Sequence, residues 1–408
     1  MSRWTPADAV GESAAGSGDR VATRAAVRAS AREVLDAHWR EPGFTCPNAS
    51  TYPWLWLWDS CFHSVVWAEL GDPARALSEL AMALGGQGSS GFVPHLQYLD
   101  GSSAHEEFWG RPATSSITQP PIYGWTVAEL SRRGIDVPAD TVERAAAGLR
   151  FLFERRRRSG AGLIELAHPW ESGCDHSPRW DDLMRAPDAT GPDPYDEGQW
   201  FRRKGELVAS IHQDASGAPL WNDEFPVGSV ALSAMAVFCA DELVSVTGDS
   251  TLRRQADEVR DALADRWEPG RRTWIDDGPT AGGSGRIRTA EALLPLLVER
   301  RAEVIDAVVA ELCDPDALGG ECGPAQVHRD EPTYRPGSYW RGPSWPQLDL
   351  LLWIALRRAG RADAAATLAA GTWRGAVGSG WAEYWDADTG AGGGAAPQSW
   401  TTVVVCME

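Results

Sequence analysis

Along residues 20–40 the apolar positions Val27, Val34 and Leu35 recur at helical spacing within an Ala- and Arg-rich stretch that stops before Pro42. The same period predicts helices over 60–70, from Pro73 onward, and over 121–133, 138–157, 227–246, 250–267, 288–300, 301–312, 344–359, 362–370 and 397–406. A shorter one is expected near 200–210. Asp72-Pro73 reads as a helix start, because aspartate caps free N–H groups and proline suits the first helical position. Asp59 is a second candidate cap. Strand signals are few and short. Very short turns, such as Gly71-Asp72 and Gly248-Asp249, join consecutive helices into antiparallel hairpins. About six such hairpins predict an all-α fold, an (α/α)6 barrel in which six inner helices line a closed toroid. An open helical solenoid is the alternative, and the long, dissimilar loops fit it poorly. Residues 1–19 are polar and small and read as a flexible tail, leaving 20–408 as a single domain.

Composition narrows the role. The 408 residues carry a formal charge of −19, which argues against a nucleic-acid partner. The basic run Arg155–Arg158 reads as a solvated helix end, where cations suit the helix dipole. No uninterrupted apolar run reaches the roughly 18–20 residues that a bilayer span needs, and the N-terminus does not read as a secretory signal. The 7 cysteines are scattered with no C-x-x-C pair, the pattern of a reducing cytoplasm. The 8 histidines lack zinc spacing, so neither a metal nor another cofactor is expected. A homo-oligomer is compatible with the chain.

The 21 tryptophans change the picture, because the flat indole face stacks on the C–H faces of sugar rings while its N–H can hydrogen-bond. They fall in loops with carboxylates and amides. In the segment 52–63, Trp54, Trp56 and Trp58 alternate and would share one face of an extended chain, with Tyr52 before them and Asp59 after. Gln119 precedes two prolines that hold its backbone extended, so its amide can donate to and accept from hydroxyls. The segment 168–181 sets Trp170, Gly173 and Asp175 beside Trp180 and Arg179. Asp175 among aromatics would be desolvated, as a general acid requires, unless it merely caps a helix or pairs with Arg179. Near the C-terminus Tyr339 and Trp340 precede a helix entry, Glu383 lies between Trp381 and Trp385, and Gln398 and Trp400 adjoin the last helix. Asp386 and Asp388, in a D-A-D-T-G turn, are better turn formers than working acids. Two separated carboxylates in aromatic loops are what glycoside hydrolysis needs: one protonates the leaving oxygen, the other activates water or attacks.

Taken together, W-L-W-D-S-C-F-H, I-T-Q-P-P, W-E-S-G-C-D-H-S-P-R-W-D, Y-W-R-G-P-S-W-P and A-E-Y-W-D-A-D-T-G run in order from residue 50 to the C-terminus. This set resembles glycoside hydrolase family 63, in its bacterial branch of mannosylglycerate and glucosylglycerate hydrolases. The resemblance implies an (α/α)6 barrel and an inverting α-glycosidase, with Asp175 as general acid and Glu383 as general base. It also implies that Tyr52, Trp56, Trp58, Asp59, Gln119, Trp170, Gly173, Tyr339, Trp340 and Gln398 surround a small carbohydrate. The glycerate-binding Y-x-R-x-D-like stretch of that branch has no clear counterpart here; Arg185, Arg202 and Arg203 are the nearest candidates for a carboxylate fork. Two other classes stay open from the residues: a sugar epimerase or lyase using His63, His168 or His176, and a sugar-binding protein without turnover.

Overall fold

The computed structural model describes residues 17–101, 103, 105–185 and 195–408, with side chains from Arg24 onward. Residues 1–16 of the expected tail and 186–194 of the candidate carboxylate-binding stretch lie outside the described residues. The first helix begins at Ser17, slightly earlier than its apolar pattern indicated.

Six hairpins close on themselves. Leu57–Glu69 packs on Pro73–Gly85, Tyr123–Arg132 on Ala139–Glu154, and Val230–Thr247 on Ser250–Ala264. Glu291–Leu297 packs on Ala302–Cys313 and Pro346–Arg358 on Ala362–Gly378. The last inner segment, Ser399–Cys406, pairs with the first helix of the chain, Ser17–His38. Each first-named segment also touches the next, and Ser399–Cys406 touches Leu57–Glu69, so the inner ring is closed. The chain is an (α/α)6 barrel, as the hairpin count implied.

Two inner segments are 3-10 rather than α. Glu291–Leu297 holds Pro295, which lacks the N–H an α turn would use. Ser399–Cys406 carries a β-branched run, Thr401 to Val405, that is stiff against the preceding turn. Val230–Thr247 is long and apolar enough to cross a membrane, but 78% of that window is buried inside the barrel. It is an inner helix with neighbours on every side, so it has no polar face.

All inner segments run in one direction, and the long loops gather at their N-terminal ends. Short antiparallel ribbons brace these loops: Leu55–Trp56 with Leu96–Gln97, Glu165–Leu166 with Val227–Gly228, and Tyr384–Trp385 with Gly392–Gly393.

Candidate active site

At that end lies a cavity of about 720 Å³. All twelve residues singled out from the sequence line it: Asp175, Glu383, Tyr52, Trp56, Trp58, Asp59, Gln119, Trp170, Gly173, Tyr339, Trp340 and Gln398. They come from five loops or helix starts far apart in sequence, which only ring closure brings together.

The acid-bearing loop is fixed from beneath. The buried Glu171 accepts from Arg156 through both oxygens, at 2.8 and 2.6 Å, and also from the backbone N–H groups of Thr118 and Ala167. One carboxylate thus ties the loop of Asp175 to the loop of Gln119. Arg156 is therefore a buried strut at 3% exposure, not part of a solvated helix end; Arg155 and Arg157 do face carboxylates outside. Arg341 grips Asp181 with two N–H groups, joining the acid loop to the Tyr339-Trp340 segment. Arg179 is spent on Asp276 and two backbone carbonyls, so it does not pair with Asp175. Gly173 has φ +73°, and a Cβ there would lie 2.4 Å from the Trp58 ring, so only glycine lets that indole form the cavity wall.

Burial raises the Asp175 carboxyl to about 6, against the opposing pull of the Lys204 ammonium. Burial raises Glu383 to about 7, although bonds from the Ala395 N–H and the Tyr52 hydroxyl favour its charged form; the charge of Asp175 adds to the rise. Glu383 Oε2 accepts from Ala395 at 2.9 Å and Oε1 from Tyr52 at 3.3 Å. Gly394, with φ +72°, lets the chain pass this carboxylate, since a Cβ would sit 2.4 Å from Oε2. Asp59 is buried without a cationic partner, and burial pushes it up to about 8. It is not the helix cap expected, because the helix already begins at Leu57 and Asp59 falls in its first turn.

Several buried polar atoms have no partner among the described residues. Trp56 Nε1, Trp340 Nε1 and Gln398 Oε1 are of this kind, and all three residues line the cavity. Unmet groups in a native interior need an explanation, and a hydroxyl-rich ligand supplies one. Gln119 Oε1 accepts from the Trp58 N–H, leaving its amide N–H groups for other use. Trp340 is held at φ +59°, a strained value for a bulky residue, with its ring stacked 3.6 Å from Trp345.

Some expectations fail here. Arg185 and Arg202 are exposed, Arg203 pairs with Glu224 at 2.9 Å, and none of the three lines the cavity. Among the described residues the lysine or arginine that does line it is Lys204, which the sequence gave no reason to prefer over its arginine neighbours. His168 is held at both ring nitrogens, by the Trp170 N–H and the Lys204 carbonyl. His176 is held by Lys204 and Tyr195, and His63 bonds Ser399 away from the cavity. His168 and His176 thus offer no free nitrogen, and the unpartnered Nδ1 of His63 belongs to a residue that does not line the cavity, so none of the three is placed as an epimerase or lyase acid/base. Asp386 accepts from its own turn and Asp388 pairs with Arg329, as turn formers should. Also absent from the sequence reading were His95, Trp109 and Phe201 on the cavity wall; isolated aromatics outside a motif give no signal.

Residues 52–401 match the family model of the mannosylglycerate hydrolase MGH1-like glycoside hydrolase domain. The mannosylglycerate hydrolase of Thermus thermophilus is 28% identical over 91% of this chain and 98% of that protein. The glucosylglycerate hydrolase of Mycolicibacterium hassiacum is 29% identical over 87% of this chain and 91% of its own length. The crystal structure of the family 63 mannosylglycerate hydrolase from Thermus thermophilus, in complex with Tris and D-glycerate, superposes with a TM-score of 0.80. It has 26% identity and covers 93% of this chain and 99% of that one. A neutral trehalase from Saccharomyces cerevisiae, at 12% identity and TM-score 0.53, shares the fold alone.

Proposed function

This chain belongs to the mannosylglycerate hydrolase MGH1-like glycoside hydrolases of family 63, and from that premise we propose that it hydrolyses a small α-glucoside or α-mannoside with inversion. Glucosylglycerate and mannosylglycerate, the substrates in its relatives' names, are the leading candidates. Asp175 gives its proton to the glycosidic oxygen. Glu383 takes a proton from a water that attacks the anomeric carbon from the other side, and the product leaves as the β-anomer. Trp56, Trp58, Trp340 and Trp170 wall the sugar. Asp59, Gln119, Gln398, Tyr52 and Tyr339 meet its hydroxyls.

The observation that carries this reading is a pair of carboxyl groups in one cavity, both without a cationic hydrogen-bond partner and both raised towards neutrality. Between pH 6 and 7 such a pair holds about one proton, the state that acid–base catalysis needs. A sugar-binding protein would need the aromatic walls but not that pair. The scattered cysteines, all free, favour a reducing compartment, and we place the enzyme in the cytoplasm. The test is sugar release from a panel of α-glucosides and α-mannosides, including both glycerates, by wild type and Asp175→Ala. Release by the wild type and its loss in the variant is expected. No release from any member would remove the proposal.

A further inference from the structure

The stretch that carries the general base, residues 381–385, enters the cavity wall with its first three carbonyl groups each accepting a hydrogen bond from one short turn of chain. The Gln398 backbone N–H reaches the Trp381 carbonyl at 2.7 Å. The Thr401 hydroxyl reaches the Ala382 carbonyl at 2.8 Å, and the Trp400 indole N–H reaches the Glu383 carbonyl at 3.0 Å. These donors open the last inner segment, Ser399–Cys406, and the residue before it. Ladder pairing with Gly392–Gly393 begins only at Tyr384. Buried carbonyls must be met by some donor, and in a sheet the neighbouring strand supplies backbone N–H groups. Here two of the three donors are side chains, so the support depends on residue type. Thr401 is 0% exposed and Ala382 2%, so bulk water does not stand in for that hydroxyl. The next residue makes the contrast plain: the Thr402 hydroxyl donates at 2.6 Å to the Ser399 carbonyl inside its own segment.

The same turn also serves the sugar side of the cavity. Gln398 Oε1 is buried without a partner among the described residues, in a side chain that lines the cavity. The Trp400 ring lines it as well and meets the Trp58 wall edge-on, with centroids 6.0 Å apart. One rigid turn therefore carries a sugar contact, a piece of wall and the supports of the base. Water attack needs base, water and anomeric carbon in a fixed register, and a misplacement of about 1 Å can cost about 10²-fold in rate. The acid is referenced elsewhere: its loop is tied down by Glu171 on Arg156 and by Asp181 on Arg341.

Resting on the reading of this cavity as a glycosidase site with Glu383 as its base, we propose that Thr401 is a positioning residue for the general base. Its hydroxyl is the middle of three rungs, between those of Gln398 and Trp400, and it sets where Glu383 stands relative to the bound sugar. Without that hydroxyl the Ala382 carbonyl is buried and unmet, a costly state that the chain relieves by shifting towards another donor. The shift carries the neighbouring carboxylate with it. The sugar stays where Asp59, Gln119 and the tryptophans hold it, and Asp175 stays on its own supports. The defect therefore falls on the rate of water attack, not on sugar binding and not on proton donation to the leaving group.

The test compares three variants with wild type. Thr401→Val keeps the shape and removes the hydroxyl, Thr401→Ser keeps the hydroxyl, and Thr402→Val makes the same deletion where the hydroxyl serves only its own segment. On an α-glucoside or α-mannoside that wild type cleaves, Thr401→Val should lower kcat by about 10–100-fold with KM within about threefold. Thr401→Ser should restore kcat to within about threefold of wild type, and Thr402→Val should stay within the same range. The α-fluoride of the same sugar then separates base from acid, because fluoride leaves without a proton from a general acid. Asp175→Ala should regain much of its activity on the fluoride, whereas Thr401→Val should be as impaired there as on the glycoside. Melting temperatures are measured for every variant, and kcat is taken well below each of them. A loss of kcat shared equally by Thr402→Val would reduce Thr401 to a structural residue. Full turnover of the fluoride by Thr401→Val would put the defect on the acid side, and a wild-type kcat on the glycoside would show that the base needs no such support. Each of these outcomes overturns the proposal and leaves the glycosidase reading standing. No turnover of any glycoside or fluoride by wild type removes that reading, and the proposal with it.

Discussion

The two ends of the barrel are both hollow and both acidic, yet they treat their carboxylates in opposite ways. At the C-terminal ends of the inner helices a cavity of about 390 Å³ is lined by Glu69, Glu129 and Glu242. Each has a guanidinium: Arg28 and Arg133 on Glu69, Arg132 and Arg133 on Glu129, Arg132 and Arg358 on Glu242. Burial works to raise Glu69, but its two arginines outweigh burial and hold it low. At the N-terminal ends Asp59, Asp175 and Glu383 bond no arginine, and burial carries all three up. Arginines are present there too, but Arg156, Arg179 and Arg341 are spent on Glu171, Asp276 and Asp181 just behind the wall. A hollow full of acid is thus not by itself a site; acids left without cations are what mark one.

That contrast can be broken from either side. The largest effect expected is on chemistry: Asp175→Ala or Glu383→Ala should lower kcat by about 10²–10⁴-fold, with no loss of melting temperature. Retained turnover in either variant would remove that residue from the mechanism. Next is the strut behind the wall. Glu171→Gln leaves the buried Arg156 charge uncompensated and should cost about 3–5 kcal/mol in urea unfolding. A matched apolar pair, Arg156→Met with Glu171→Leu, should recover much of that loss, and failure to do so would mean that the pair does more than neutralise itself.

Asp59→Asn sharpens the comparison further. A carboxyl raised to about 8 in the fold keeps its proton while the unfolded chain has lost it. Wild-type stability accordingly falls as pH rises from about 4 to 8, and asparagine has no such dependence. The variant should melt higher than wild type at pH 7.5 and not at pH 4, while sugar binding weakens. An equal melting difference at both pH values would show that Asp59 is ionised in the fold. Smaller still is the shape of the pH profile for kcat/KM. With Asp175 near 6 and Glu383 near 7, activity should fall below about 6, where both are protonated, and above about 7, where both are ionised. A plateau reaching pH 9 in the free enzyme would contradict the assignment. Least of all, Glu242→Gln at the opposite end should cost about 1 kcal/mol and leave kcat within about twofold.

Periodicity made the hairpins legible because outer helices such as Pro73–Gly85, Ala139–Glu154 and Ser250–Ala264 have one apolar face, and the short Gly71-Asp72 and Gly248-Asp249 turns join two of them to their inner partners. The motif residues were legible because tryptophan, carboxylate and glycine together in a loop have no bland use. The reason for Gly173 was not visible, since it lies in a Trp58 ring 115 residues earlier in the chain. Nor was the role of Arg156 visible: in a run of four arginines only tertiary burial distinguishes one. Lys204 escaped for a related reason. Beside Arg202 and Arg203 nothing in the sequence marks it, and only the phase of its helix turns it onto the cavity wall.

The central claim is that Asp175 and Glu383 act as acid and base in a single displacement. Proton NMR of the first sugar released from an α-glucosyl or α-mannosyl substrate tests it most directly. The account expects the β-anomer to appear first and mutarotation to follow, with no signal from Asp175→Ala. An α-anomer appearing first would contradict it, because retention requires one of the two carboxylates to attack the sugar directly.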